Sequence, residues 1–360
     1  MILDILPLSG GTARLVRVYG DLPSVALPSA LPSEDGGSYV ITELGDYCFS
    51  EKPRSMPAFS QLCRYAVDDA ADGAVPRLTH AFGQAVNGGA KHRYDFDFGD
   101  DAADDTLHPI CGNFVEEIIL PDNLCVIGSC AFYNCRKLRV LSVGAENITV
   151  GSDVFLNCFA LETIIVRAEP DAPTGLFALV GSITEAVQAV FWPVGAREPK
   201  AGLWYPAFWE DVEECPAHIL LHTFSGQGYH YRQCFSDGKL RMAEYDAIFP
   251  DGHASEDANV IAMLCFDRLH WPWQLSNTAA DEYKVFLRQN ALRVVERLLK
   301  KQDLDALRAL IALDVMDAAS LSQAASLAAK ADNASAAALL ADAEHKKQPV
   351  CKKHQYDFDF

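Results

Sequence analysis

The sequence predicts an α+β multidomain chain: an N-terminal β-solenoid over residues 1–200, a small α+β domain over 201–279, an α-helical repeat over 280–346, and a flexible tail over 347–360. Three observations predict this order. A 23-residue period runs through Val115 to Val166, the composition changes from Trp204 onward, and helical leucine spacing begins near residue 280. A fixed period of about two dozen residues marks stacked coils, each burying its apolar face only against its neighbours.

The period is explicit in the residues. Val115-Glu-Glu-Ile118-Ile-Leu120 returns as Leu138-Arg-Val-Leu141-Ser-Val143 and as Leu161-Glu-Thr-Ile164-Ile-Val166. Between these strand-like pieces, Ile127-Gly128-Ser-Cys-Ala-Phe132-Tyr-Asn134-Cys135 returns as Val150-Gly151-Ser-Asp-Val-Phe155-Leu-Asn157-Cys158. With Pro121, Gly128, Phe132, Asn134, Cys135 and Leu138 in register, the stretch resembles the BspA-like branch of the leucine-rich repeats. That resemblance implies a leucine-rich-repeat solenoid of bacterial type used for protein–protein recognition, and its relatives are often cell-surface adhesins.

In chain order, Leu15 to Tyr19 predicts a strand. Val25-Ala-Leu27-Pro28 echoes Ile118-Ile-Leu120-Pro121, and Leu44-Gly45-Asp-Tyr-Cys-Phe49 echoes Ile127 to Phe132, with Ser33 to Gly37 as an inserted turn. Residues 51–110 break the period and predict an insertion projecting from one face. Val187 to Pro193 predicts a fourth strand, Leu176 to Glu185 a helical or irregular connection, and Gly195 to Pro206 a linker. His218 to Phe224 and Tyr229 to Phe235 predict a hairpin around Ser225-Gly-Gln-Gly228. Leu240 to Phe249 predicts a strand or short helix, and Asp257 to Leu269 a helix. From 280 to 345, Leu287, Leu292, Val295, Leu298 and Leu299 share one helix face, and Leu304, Leu307, Leu310 and Ile311 another. Leu321 to Ala328 and Ala336 to Leu340 form a further pair, with a turn and cap at Asp332-Asn333. About 30 residues per helix pair resembles ankyrin-type helices, although the Thr-Pro-Leu-His start is absent.

Composition bounds the partners. A net charge of -19 repels phosphates and argues against nucleic acid and anionic membranes. Met1 to Pro7 lacks a basic n-region and an apolar h-region, so no signal peptide is expected and the location is cytoplasmic. The apolar run Gly175 to Val194 is interrupted by Ser182, Thr184, Glu185 and Gln188 and closed by Pro193, which predicts a buried soluble element. Eleven cysteines, mostly at apolar repeat positions, predict free thiols in a reducing compartment.

The candidate sites follow from the same patterning. Alternation along the repeat strands places Glu117, Ile119, Val140, Ser142, Thr163 and Ile165 on the concave face. Ile119, Val140 and Ile165 then form an apolar stripe, met either by a protein partner or by another part of the chain. Asn134, Asn157, Cys135 and Cys158 are expected to bond backbone groups within the turns. Lys91-His-Arg-Tyr94-Asp-Phe96-Asp-Phe98 recurs as Lys353-His-Gln-Tyr356-Asp-Phe358-Asp-Phe360. Such a peptide suits an exposed sheet edge, in cis or between chains, and predicts self-association.

A metal alternative gathers Cys215, His218, His222, His230 and Cys234, correct ligand types for zinc. Two residues four apart on a strand are about 13 Å apart, however, too far to share one ion. Arg232, Glu244, Asp246 and Arg268 are expected to form an ion-pair network, and Trp204, Trp209, Trp271 and Trp273 to pack a core. No nucleophile–base pair or phosphate loop stands out, and no cofactor is expected. The reading is a non-enzymatic scaffold or adaptor; the alternative is an enzyme or zinc-binding domain at 204–283 targeted by the solenoid.

Overall fold

Residues 23 apart in the sequence lie side by side in space. In this computed structural model, which describes residues 1–51, 53–54, 56–67, 77–80, 108–215 and 219–347, Val140 sits between Glu117 on one side and Thr163 on the other. The strands Glu117–Ile119, Val140–Val143 and Thr163–Val166 run parallel in that register. Ser24–Ala26 joins at one side with Val25 opposite Ile118. Val187–Phe191 joins at the other with Gln188 opposite Thr163. Ile118, Leu141, Ile164 and Ala189 form one row across these strands, and each is fully buried. A second parallel ladder aligns Glu43, Val126 and Thr149 in Ser38–Leu44, Val126–Ile127 and Thr149–Val150. The N-terminal fold class is therefore the expected solenoid, with the first three coils each giving one strand to each ladder and the short helix Leu176–Gly181 following the strand Thr163–Val166.

The turns between ladders explain the repeated letters. Phe49, Phe132 and Phe155 stack at 5.4 Å between successive ring centroids. A Cβ on Gly128 would stand 2.6 Å from Asp46 N, and one on Gly151 2.6 Å from Ser129 N, so the coils approach more closely than any side chain allows. Tyr47 N donates to Ser129 O at 3.0 Å and Phe49 N to Ala131 O at 2.8 Å; Cys130 N and Phe132 N repeat this onto Ser152 O and Val154 O. Asn134 and Asn157 both adopt φ 65°, a left-handed conformation that asparagine tolerates. Their side chains bond each other, Asn157 Nδ2 donating to Asn134 Oδ1 at 2.7 Å. The thiols of Cys135 and Cys158 donate to Phe49 O and Phe132 O at 3.2 and 3.0 Å. These ladders run between coils, not within one turn as expected, because the backbone groups inside each turn already serve one another.

Two buried arginines finish the ends of this ladder. In the coils that follow, Ala131 O and Val154 O accept from the coil before. The first coil has no predecessor, and Arg17 Nη1 supplies the donors instead, to Tyr47 O, Cys48 O and Ser50 O at 3.0, 3.0 and 2.6 Å. At the far end Arg232 reaches Val180 O, Ile183 O and Glu185 O, the turn that follows the short helix Leu176–Gly181, and also Pro206 O and Gly228 O. A planar guanidinium spreads its five donors over three nitrogens, and Arg232 uses all three of them to reach its five carbonyls.

The N-terminal hairpin Ile2–Pro7 and Thr12–Tyr19 extends the second ladder, Thr12–Tyr19 running parallel to Ser38–Leu44. Where the 51–110 insertion is described, it adds to this sheet: Cys63–Ala66 pairs antiparallel with Ile2–Pro7, and Arg77–His80 pairs with Cys63–Ala66.

Three expectations are corrected. Gly195 to Pro206 is not a linker. Gly195 takes φ 79°, the chain reverses, and Ala201–Tyr205 pairs antiparallel with Val187–Phe191, all five of its residues buried. The hairpin is displaced by one element: Trp209–Cys215 pairs with Ile219–Ser225, while Gly228–Arg232 is a short helix. Helix wins there because Gly228 presses against Pro206, where a Cβ would stand 2.1 Å from the carbonyl oxygen, and Arg232 must point inward to its carbonyls. Trp209 is no core residue but lies exposed on that hairpin, whereas Trp204 is buried.

The chain divides into two compact units, Met1–Tyr245 and Asp246–Phe360. Met242–Gly252 is helical, and the helices Ala258–His270, Asn277–Lys301, Leu304–Ala312, Ala318–Lys330 and Ala334–Lys347 follow. Five of them begin on a polar cap: Asp257, Ser276, Asp303, Asp317 and Asn333 each accept a backbone N–H in the first turn. Inside the second unit, Arg268 forks onto Asp246 at 2.8 and 2.7 Å, and Tyr283 Oη donates to the same carboxylate at 2.7 Å. Of the four residues expected to share an ion-pair network, Asp246 and Arg268 pair with each other, while Glu244 pairs with the exposed Arg241 and Arg232 bonds backbone. Among the described residues, no helix is long and apolar enough to cross a membrane.

Candidate functional site

Side chains opposite the buried row of the parallel sheet form two rows of their own. Glu117, Val140, Thr163 and Gln188 align in one, and Ile119, Ser142, Ile165 and Val190 in the other. Alternation places them all on one face, because neighbouring strand residues point to opposite sides. Glu117, Ile119, Val140, Thr163 and Ile165 are half-buried, a condition that leaves apolar and polar atoms reachable from outside. Ser142, Gln188 and Val190 are buried. The register separates Ile119 from Ile165 by Ser142 and sets Val140 in the adjacent row, so the apolar positions form a zigzag.

Hydrogen bonds hold this face in place. Ser24 Oγ donates to Glu117 Oε2 at 3.1 Å, and Thr163 Oγ1 to Gln188 Oε1 at 3.2 Å. Arg167 ties down the sheet margin: Nη1 donates to Ser142 Oγ at 2.6 Å, Nη2 to Leu120 O at 2.6 Å, and Nε and Nη2 to Asp122 Oδ1 at 3.1 and 2.7 Å. Sequence reasoning missed Arg167, together with Gln188, Val190 and the exposed Trp192. The signal was present, since counting in twos from Thr163 reaches Ile165 and then Arg167, and from Gln188 reaches Val190 and then Trp192. Trp192 is held by its indole N–H, which donates to Ala196 O at 3.0 Å. Tryptophan and arginine are the side chains that most often dominate binding energy at protein interfaces.

The remaining candidates are distributed as follows. Cys215 belongs to the strand Trp209–Cys215, His222 to Ile219–Ser225 and His230 to Gly228–Arg232. His218, and the side chains of Cys215 and His222, lie outside the described residues. Cys234 is buried, and its thiol donates to His230 O at 3.5 Å. Among the described residues, no group of three His, Cys, Asp or Glu side chains is arranged to hold a metal ion. The aromatic–acidic peptides at Tyr94, Phe96, Phe98 and at Tyr356, Phe358, Phe360 also lie outside the described residues.

The chain has no match among curated proteins and none among solved structures. Residues 111–185 match the family described as BspA type Leucine rich repeat region (6 copies). The match takes in three of the five parallel strands; the coil that contributes Ser24–Ala26, and the helices of the second unit, lie outside it.

Proposed function

We propose that the protein is a non-enzymatic scaffold that binds a protein partner through the outward face of its parallel sheet. The observation that carries this reading is the single register of the strands, which sets Glu117, Val140 and Thr163 beside Ile119 and Ile165 on a rigid backbone. A preorganised face costs little ordering entropy on binding, and its half-buried apolar positions, rimmed by Arg167 and Trp192, have the make-up of an interface core. The match of 111–185 to a leucine-rich-repeat family supports protein–protein interaction in general.

A reducing compartment such as the cytoplasm suits the fold, because Cys135 and Cys158 act as thiol donors to carbonyls and a disulfide would remove both hydrogens.

Quantitative affinity capture from the native organism tests the assignment, with the wild type compared with the double variant Val140→Arg/Ile165→Arg. The proposal expects a discrete set of proteins to be lost from the variant, at least about tenfold, while its denaturation midpoint stays near that of the wild type. An unchanged capture profile for a folded variant removes the sheet face from consideration.

A further inference from the structure

The hairpin Trp209–Cys215/Ile219–Ser225 belongs to no larger sheet: its two strands pair only with each other among the described strands. Two-stranded ribbons are marginal in water unless something packs on them. This one leaves large apolar side chains in solvent on both faces, with Trp209 63%, Leu220 59%, Val212 52%, Leu221 50% and Phe224 40% exposed. Its root is nonetheless fixed. The Phe224 ring stacks on Tyr229 at 4.2 Å, both lie near Phe208, and the Arg232 guanidinium covers Phe208 at 4.8 Å. A rigidly rooted ribbon with a bare apolar surface is preorganised to receive another strand.

Its two edges differ in charge. Trp209–Cys215 carries Glu210, Asp211, Glu213 and Glu214. Ile219–Ser225, Ile-Leu-Leu-His-Thr-Phe-Ser, carries no acid, no lysine, no arginine and no proline. Charges on an edge strand discourage pairing with another sheet, and like charges set directly opposite each other repel. One edge of the ribbon is therefore protected and the other is open.

We propose that this hairpin is a self-association site, in which Ile219–Ser225 pairs antiparallel with the same strand of a second copy. The occupant follows from the charge pattern. A basic peptide would be drawn to the acidic edge, whereas the neutral edge is complementary to a neutral, apolar strand, and a two-fold axis supplies one of identical sequence. In the resulting four-stranded sheet the acidic strands lie outermost in both copies. They end the sheet on either side, so association closes at a dimer and does not run on into a filament. One seven-residue strand contact falls below the size of a standard interface, which sets the dissociation constant at about micromolar. The site is independent of the partner-binding face proposed above.

Sedimentation velocity of the full chain across low to high micromolar concentration is the test, run in reducing buffer. The wild type is expected to pass from monomer to dimer, with no larger species. Leu221→Lys/Thr223→Lys places lysines on one face next to their own copies and is expected to weaken the dimer at least about tenfold. Leu221 and Thr223 are both exposed, so circular dichroism and the denaturation midpoint of this variant should match the wild type. Thr163→Lys, on the parallel sheet, and deletion of residues 353–360 are both expected to leave the dimer intact. A chain that stays monomeric throughout, a dimer that survives the lysine pair, or one abolished by the 353–360 deletion overturns the proposal.

Discussion

Arg17 is a charge buried in a strand whose neighbours Leu15, Val16, Val18 and Tyr19 are also buried. Burying a guanidinium is costly unless its donors are used; here Nη1 meets carbonyls that the missing preceding coil would otherwise have served, while the buried Nη2 has no hydrogen-bond partner among the described residues. Arg17→Ala should therefore lower stability by about 3–5 kcal/mol, since buried carbonyls lose their donors and a void opens. Arg17→Lys should recover part of this loss, since all three bonds come from the single nitrogen Nη1 and an ammonium also carries three donors, on a stem of different reach and shape. Denaturant titration checks this; a loss below about 1 kcal/mol for the alanine variant would mean that Arg17 is not the cap. The role was not legible in Leu15-Val-Arg-Val-Tyr, where a lone arginine reads as an outward strand residue. It becomes visible only once the carbonyls of Tyr47 to Ser50 are placed.

Between elements, the coil-to-coil ladders carry a pH signature. Burial pushes the Cys48 and Cys158 thiols up to about 12, and raises Cys135 well above its usual range. In the unfolded chain these thiols ionise near 8.5. Below that pH both states hold the proton and the thiols contribute no pH dependence. Above it the unfolded chain releases protons that the native coils retain, so stability falls as pH rises toward 12, by up to about 1.4 kcal/mol per pH unit for each thiol. Midpoints measured from pH 7 to pH 10.5, a span on the order of that window, should decline less steeply in Cys48→Ala than in the wild type. Identical slopes would contradict the assignment.

The same scale shows what the sequence disclosed. The 23-residue period was readable because Gly128, Phe132, Asn134 and Cys135 each answer a constraint repeated on the next coil: close approach, ring stacking, left-handed backbone and a carbonyl needing a donor. The strand expected at His218 to Phe224 is present as Ile219–Ser225, but its partner was missed because Glu210, Asp211, Glu213 and Glu214 give Trp209–Cys215 the look of a solvated loop. Tyr229 to Phe235 was misread because a short aromatic run carries no period long enough to separate strand from helix. Ala201–Tyr205 was hidden behind the turn residues Gly195 to Lys200, which make a hairpin loop and a linker equally plausible on composition.

At the scale of the whole molecule, the chain comprises a solenoid-bearing unit and a helical unit, each with its own buried polar anchor: Arg17 and Arg232 in the first, Asp246 with Arg268 and Tyr283 in the second. The helical unit was legible from leucine spacing and from the Ser, Asp and Asn caps that open its helices. The proposed partner face was legible to the extent that alternation reached, stopping one step short of Arg167 and Trp192. Its assignment is tested most directly by hydroxyl-radical footprinting of the protein with a captured partner. Ile119, Val140, Ile165 and Trp192 should lose reactivity together in the complex, while Val285 on the helical unit, which is exposed, should not change. Protection that falls on the helical unit and leaves the four sheet residues as reactive as in the free protein would contradict the account.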